Sequence, residues 1–302
     1  MRYNGTIYPR TRKGAFIEIE VPPLVRWSAL EEGANFIVQS LVRQWSRILK
    51  QPLRAEGACH NFLAENAVIF LQGGQNIPAV ISKLRLGAEF VTDLVLVENC
   101  YSNGAKYHLI ELESPHDSLF TKKGIASQEL LSAIHQIIGW KTWLQEHTAE
   151  ARRLFPSLMH GYNGDAVFSY TVVIGRRVKD PELLKRRREL ATNLGINIRS
   201  FDSMADGITK RFFHDTMDPS CGDLDKDFDD ADLSELTNPF RRALTDPQWR
   251  ELVRGIWDVG HFYHAVGRKY RQMGRHSPHL ATFRKWARKH GHLPAGPRAV
   301  KL

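Results

Sequence analysis

Residues 107–115 of this 302-residue chain read Tyr-His-Leu-Ile-Glu-Leu-Glu-Ser-Pro, an apolar run that ends in two glutamates. Successive side chains of a strand point to opposite faces, so Glu111 and Glu113 are expected on one face. A second apolar run, residues 90–97, lies upstream and carries one carboxylate, Asp93. If the two runs pair as neighbouring strands, three carboxylates converge on one spot.

Carboxylate oxygens at that density suit a hard divalent ion such as Mg²⁺ or Mn²⁺. Such an ion can generate a hydroxide nucleophile and stabilise an oxyanion in phosphodiester hydrolysis. Acidic residues at a strand end are also commonly just solvated, and the pattern alone leaves both interpretations open. The apolar character of both runs predicts interior strands. A buried carboxylate there is costly unless it is paired or coordinated, which favours the metal site.

A series of short motifs, in this order along the chain, resembles the Shedu anti-phage family. The motifs span about 150 residues and comprise 61–66 (Asn-Phe-Leu-Ala-Glu-Asn), 86–96, 110–115 (Ile-Glu-Leu-Glu-Ser-Pro), 127–130, 136–140 (Gln-Ile-Ile-Gly-Trp), 172–177 and 198–202. The resemblance implies a nuclease domain of the PD-(D/E)xK, or restriction-endonuclease-like, superfamily. It therefore implies a divalent-metal-dependent DNA endonuclease of prokaryotic defence that acts on DNA and forms a homo-oligomer.

The resemblance also implies roles for individual residues. Asp93 matches the first metal-binding acid and Glu111 the second, whereas Glu113 stands where the superfamily pattern usually has lysine. A lysine would position the attacking water and neutralise developing negative charge, and a glutamate cannot do the latter. Glu113 can instead accept a proton from water or join the metal shell. The alternative is a catalytically inactive nucleic-acid-binding or regulatory protein on the same fold.

The candidates for the same site also include Gln136, Glu65 and Glu89. Gln136 and Trp140 lie four apart on one helix face and resemble the Gln-x3-Tyr motif of several nucleases in this superfamily. The Gln136 amide can orient a metal-bound water or a DNA phosphate, although an ordinary polar position on an amphipathic helix would look the same. Glu65 and Glu89 are candidates for supporting the metal ligands from outside, and Glu65 also fits a helix-surface charge.

The net charge of +9 is compatible with a polyanionic partner. Residues 241–302 hold 14 Lys and Arg against three acids and so carry the whole surplus. Basic and aromatic residues interleave there, as in surfaces that neutralise phosphates and stack on bases. A solvated basic helix face would look similar. The residues expected to bind DNA are Arg284, Lys285, Arg288 and Lys289, together with Arg176 and Arg177 at a strand end, for which a solubilising role is equally compatible.

Composition indicates a globular, intracellular protein. Three isolated cysteines without a Cys-x2-Cys pair suit a reducing cytoplasm and argue against structural zinc. The chain has no apolar run of membrane-spanning length, no apolar signal-peptide core near Met1 and no Gly-Lys-Ser loop. We therefore expect a cytoplasmic protein with no membrane partner and no nucleotide cofactor. The acidic run 218–235 lacks the glycine and glutamate of a calcium loop and is interpreted as a linker.

The predicted fold class is α/β, a restriction-endonuclease-like core with a mixed sheet flanked by helices, plus helical N-terminal and C-terminal additions. Strands are predicted at 15–21, in the two acidic runs, at 167–174 and at 196–201. Helices are predicted after a capping box at Ser28, around 61–70, over 127–146, over 181–193 and beyond Thr237. The predicted organisation is an N-terminal strand and helix (1–55), the nuclease domain (56–211), the acidic linker (212–240) and the basic helical region (241–302).

Overall fold

A computed structural model describes residues 31–51, 55–71, 79–100, 104–159, 162–163, 165–213, 242–254, 285 and 288–289. The predicted strand 15–21, the capping box at Ser28 and the acidic linker lie outside these residues. None of the helices in the described ranges is both long and apolar enough to cross a lipid bilayer.

A six-stranded mixed sheet forms the centre of the fold, in the order β10-β1-β4-β5-β8-β9. Its antiparallel part consists of β1 (Ala79–Ser82), β4 (Leu94–Asn99) and β5 (Ala105–Leu112). Three strands are parallel to their neighbours: β8 (Val167–Val173) to β5, β9 (Asn197–Arg199) to β8, and β10 (Leu244–Thr245) to β1. Two short hairpins lie outside it, β2 (Arg85–Leu86) with β3 (Phe90–Val91) and β6 (Leu158–Met159) with β7 (Tyr162–Asn163).

Helices cover both faces of this sheet because side chains alternate along β5. Tyr107 and Leu109 pack into one hydrophobic cluster, and Ile110 and Leu112 into the other. The first cluster includes residues of α4 (Gln128–Glu146), α5 (Thr148–Leu154), α6 (Pro181–Leu194) and α8 (Asp246–Arg254). The second includes residues of α1 (Glu31–Ile48), α2 (Ala55–Glu65), α3 (Ala67–Leu71) and α7 (Asp202–Phe213). The predicted α/β class with a mixed sheet flanked by helices is confirmed.

Local capping chemistry explains why two predicted helices are found nearly as expected. The Ser127 hydroxyl accepts a 3.1 Å hydrogen bond from the Leu130 amide and so caps the N-terminus of α4. Asp180 caps α6 in the same way, and Pro181 follows it at the first helical position. Gly195 ends α6 in the left-handed conformation with φ of 58°, which glycine adopts without steric cost.

Three elements differ from the prediction because tertiary pairing overrides local pattern. The run 90–97 is not one strand: β3 pairs with β2, and β4 begins only at Leu94. The predicted helix 61–70 is two helices, α2 and α3. Leu244 and Thr245, expected in a helical region, form an edge strand beside β1.

Candidate metal centre

Asp93 and Glu111 lie side by side where β4 begins and β5 ends. Leu94 is opposite Ile110 in the antiparallel ladder, so Asp93 continues the register opposite Glu111. Glu111 in turn is opposite Val172 of β8. Both strands are interior strands of the sheet, as predicted, and both acidic residues are buried. The pairing expected from the sequence thus brings two of the three carboxylates together.

Backbone and side-chain contacts hold the Asp93 carboxylate in place. Its Oδ2 accepts a 2.7 Å hydrogen bond from the Leu112 amide, and its Oδ1 forms an ion pair with Lys83 Nζ. The backbone carbonyl of Asp93 accepts a 2.9 Å bond from the Lys83 amide and lies 3.3 Å from His60 Nε2. This carboxylate is therefore preorganised before any ligand arrives.

Glu111 is a buried acid whose side chain is incompletely satisfied. Its relative exposure is 8%, and within the part of the chain that the structure describes its Oε2 atom has no hydrogen-bond partner. Burial, followed by the negative charges of Asp93 and Glu113, raises the pKa of Glu111 to about 9. Burial and these charges therefore favour the protonated form of this carboxyl, and a cation at Oε2 would stabilise its charged form.

Glu113 comes one residue after the end of β5. Its amide donates a 2.9 Å hydrogen bond to the carbonyl of Val173, so the backbone still follows β8 at this point. Partial burial raises the pKa of Glu113 to about 7, with added effects of Glu56, Asp117, Asp93 and Glu129. These acids make the environment of Glu113 strongly negative. The amide of Gly175 donates a 3.0 Å hydrogen bond to the carbonyl of Ser114, the residue after Glu113, and so joins the two segments that follow β8 and β5.

The side chains around Asp93 and Glu111 offer a small number of ligands to a divalent ion. Within the described ranges, no group of three or more His, Cys, Asp or Glu side chains is arranged to hold a metal. Mg²⁺ is commonly bound through one or two carboxylates and keeps several waters. Asp93 and the unpartnered buried oxygen of Glu111 supply that smaller set. The residues present therefore fit a magnesium-type ion with two protein ligands better than a closed protein cage.

Lys83 is the main residue of this region that the sequence reasoning missed. It follows β1 directly, and its side chain, about half exposed, reaches the buried Asp93 carboxylate. Its φ of 53° lies in the left-handed region, which costs a non-glycine residue about 1 kcal/mol or more. The available signal was one antiparallel pairing: pairing residues 79–82 with 94–97 places Lys83 opposite Asp93.

Gln136 and Trp140 on α4 have different surroundings. The Gln136 amide nitrogen donates to the carbonyl of Val91 at 3.4 Å, two residues before Asp93. Trp140 is fully buried in the hydrophobic cluster beneath α4. Gln136 therefore adjoins the segment that carries Asp93, while Trp140 serves core packing. A role of Gln136 towards water or phosphate stays a prediction.

The two other acidic candidates lie at the surface. Glu65, the last residue of α2, pairs with Arg242 at 3.3 Å. Glu89 is exposed in the turn between β2 and β3. Neither placement tests the predicted supporting role, but Glu65 already has a cationic partner in this structure.

The charges of Arg176 and Arg177 are engaged within the protein. Arg176 binds Asp202 through Nε and Nη2, with the Nη2–Oδ1 distance at 2.7 Å, and also donates to the carbonyl of Leu49. Arg177 pairs with Asp206 one turn further along α7. These contacts join the end of β8 to α7. DNA binding by the two arginines stays a prediction, and the opposing Asp202-x3-Asp206 pair was the sequence signal for a structural role.

Of the C-terminal cations predicted to contact DNA, Lys285, Arg288 and Lys289 are helical and exposed. Arg284 lies outside the described residues. Exposure on a helix is what phosphate contact requires, but it does not distinguish that role from solvation, so this assignment stays a prediction.

Comparison with known families places much of the described fold within a family model. A family model described as Shedu protein SduA, C-terminal, matches residues 54–204, half of the chain. The matched segment begins just before α2 and contains Lys83, Asp93, Glu111, Glu113 and Gln136. No curated protein and no solved structure matches the chain.

Proposed function

The chain belongs to the Shedu SduA family, which suggests a role in anti-phage defence, and on that premise we propose that it is a divalent-metal-dependent DNA endonuclease. The observation that carries this proposal is the buried Glu111 carboxyl beside Asp93, with one oxygen that lacks a partner among the described residues. Such a group is costly to bury, and a cation held with Asp93 would offset that cost.

Asp93 and Glu111 would hold Mg²⁺ or Mn²⁺. When bound, an ion of this type lowers the pKa of a coordinated water and stabilises negative charge on a phosphoryl oxygen. The Leu112 amide fixes the orientation of Asp93, so this ligand needs little rearrangement. Glu113, with a pKa of about 7, can accept a proton from an attacking water near neutral pH.

DNA is the proposed partner because the charge surplus is concentrated in residues 241–302. The described members Lys285, Arg288 and Lys289 are exposed, and none of these three has an ion-pair partner within the described residues. Phosphate neutralisation by such residues supplies affinity without sequence preference. A homo-oligomeric assembly is proposed from the family resemblance, and a cytoplasmic location from the three isolated cysteines.

The second candidate function is nucleic-acid binding without catalysis. Glu113, in place of a lysine, is the observation that favours it, because a third carboxylate adds negative charge where the reaction also develops it. The two candidates agree on the fold and on DNA binding. They differ in whether the carboxylate pair binds an ion and cleaves.

The test is cleavage of supercoiled plasmid by wild type, Asp93→Asn and Glu111→Gln with Mg²⁺, Mn²⁺ or a chelator. Each substitution removes one anionic ligand and little volume, so we expect folded variants that have lost cleavage and calorimetric Mn²⁺ binding. Asp165→Asn is the control, since Asp165 is an exposed carboxylate beyond the opposite end of β8. A wild type that binds DNA but never cleaves would establish the second candidate. Cleavage by both variants at the wild-type rate would refute the site.

A further inference from the structure

We propose that Lys83 supplies the positive charge that the Glu-x-Glu arrangement lacks, and that its ammonium group contacts the phosphate undergoing hydrolysis. The inference rests on the proposed nuclease function and adds a catalytic residue to it. In the structure, the same ammonium group is paired with Asp93. The Lys83 ammonium and the Asp93 carboxylate thus meet in space although Lys83 follows a different strand, β1.

The position of Lys83 follows from the pairing of β1 with β4. Ser82 is opposite Leu94, so the next pair in the ladder is Lys83 with Asp93, and their backbones are joined by a 2.9 Å hydrogen bond. Asp93 in turn lies beside Glu111. Lys83, Asp93 and Glu111 therefore form one row across three adjacent chain segments, with the lysine side chain directed towards the carboxylates.

Backbone geometry points to use of the Lys83 side chain. Among the described residues Lys83 is the one non-glycine with positive φ, at 53°. Glycine adopts this conformation without steric cost, and asparagine more readily than lysine does. A long cationic side chain at such a position, in contact with a buried carboxylate, is the kind of strain that clusters at functional sites.

Exposure and length allow the Lys83 ammonium to change partners. The Lys83 side chain is 51% exposed, whereas that of Asp93 is 8% exposed. The lysine thus enters from the solvent side, the direction from which a nucleic acid must approach. Four flexible methylene groups let the ammonium move from Asp93 to a phosphate oxygen while the backbone stays in place.

The Lys83 charge would act during phosphodiester hydrolysis itself. The oxygen of water forms a bond to phosphorus, the bond from phosphorus to the leaving nucleotide oxygen breaks, and the water proton passes to Glu113. The leaving oxygen takes a proton from solvent. The Lys83 ammonium stabilises the negative charge that grows on a non-bridging phosphate oxygen. Proton acceptance and charge neutralisation are thereby divided between Glu113 and Lys83.

The test compares wild type with Lys83→Met and Lys83→Arg. Methionine keeps a long unbranched side chain and the same backbone strain but removes the charge, and arginine keeps the charge. Lys50→Met is the matched control, because Lys50 is exposed just after α1. Four quantities are measured: kcat and KM for cleavage of a DNA duplex, the Kd of Mn²⁺ by calorimetry, and the salt dependence of duplex binding in Ca²⁺.

We expect Lys83→Met to lower kcat by about 100-fold or more, with a smaller change in KM. Its Mn²⁺ affinity is retained or increased, because a cation that competes for Asp93 is gone. The slope of log K against log salt should fall by about one. Lys83→Arg should recover part of kcat, and Lys50→Met should match wild type in all four quantities.

Two outcomes in an active protein would overturn the inference. Cleavage by Lys83→Met within about threefold of wild type would exclude a charge role. Parallel loss of Mn²⁺ binding and cleavage would show that Lys83 only maintains Asp93. If wild type does not cleave, the nuclease proposal fails, and the salt dependence then decides on Lys83 alone: a slope lowered by about one supports phosphate contact, and an unchanged slope refutes it.

Discussion

The backbone amide of Leu112 donates a 2.7 Å hydrogen bond to Oδ2 of Asp93, which ties that carboxylate to the residue next to Glu111. Because the donor is a backbone group of an interior strand, its position is fixed, and the contact depends only on the orientation of the Asp93 side chain. Two acidic groups that would repel each other in water are consequently held together in a buried place. Their mutual repulsion is one cause of the raised pKa of Glu111.

The first prediction concerns the stability of the metal-free protein. Burial and neighbouring charges raise the Glu111 pKa from 4.5 to about 9. Between these two values the folded protein holds a proton that the unfolded chain has released, so stability is lost as pH rises through this window. Wild type in chelator should lose about 3 kcal/mol of unfolding free energy between about pH 5.5 and about pH 8.

Glu111→Gln is the variant that checks this linkage, because an amide does not titrate. It should show a flatter pH dependence and exceed wild type in stability at the alkaline end. Urea unfolding at the two pH values gives the numbers, and Asp165→Asn, a change at an exposed acid, serves as control. Equal slopes for wild type and Glu111→Gln would refute the burial of a protonated Glu111.

The second prediction concerns Glu113. If this group accepts the proton of the attacking water, Glu113→Gln should lower the cleavage rate by about 100-fold, since an amide cannot accept it. Glu113→Lys would place a cation beside Asp93 and Glu111, where it repels a bound metal ion, and should not restore cleavage. Initial rates of plasmid nicking measure both variants.

Glu146→Gln, at the exposed end of α4, is the control for these substitutions. It should cleave at the wild-type rate. Activity that appears in Glu113→Lys while wild type is inactive with both Mg²⁺ and Mn²⁺ would identify the native site as a non-catalytic remnant.

The third prediction concerns the basic C-terminal residues. Replacement of Lys285, Arg288 and Lys289 with glutamine should weaken duplex binding and reduce the slope of log K against log salt by up to about three. All three side chains are exposed, so the fold should be unaffected. Fluorescence anisotropy with labelled duplex at several salt concentrations measures the slope.

The matched control removes three other exposed cations, Arg43, Arg47 and Lys50 in or just after α1. It changes the net charge equally, so a purely long-range charge effect would alter both variants to the same extent. Equal slopes in the two triple variants would assign the C-terminal charges to solubility instead of phosphate contact.

Local signals in the sequence predicted much of the framework. The apolar run ending at Glu111 is an interior strand, and residues 128–146 form a helix begun by Ser127. Pro181 and Gly195 bound another helix as expected. These features depend on residues within a few positions of one another, through alternation of burial and hydrogen bonds to the first or last turn. The expected proximity of Asp93 and Glu111 followed from one antiparallel pairing.

Contacts between segments distant in sequence were decided by the tertiary structure alone. The ion pair of Lys83 with Asp93 depends on the register of β1 against β4, and the unpartnered oxygen of Glu111 depends on packing around the sheet. The sequence placed Arg176 among the residues expected to bind DNA, whereas in the structure α7 positions Asp202 to form an ion pair with it. Local propensity carries no information on such partners, because burial and charge pairing are set by which distant surfaces meet. By itself, then, the sequence determined several of the helices and strands and the acidic residues they carry, and the fold determined which charges surround those residues.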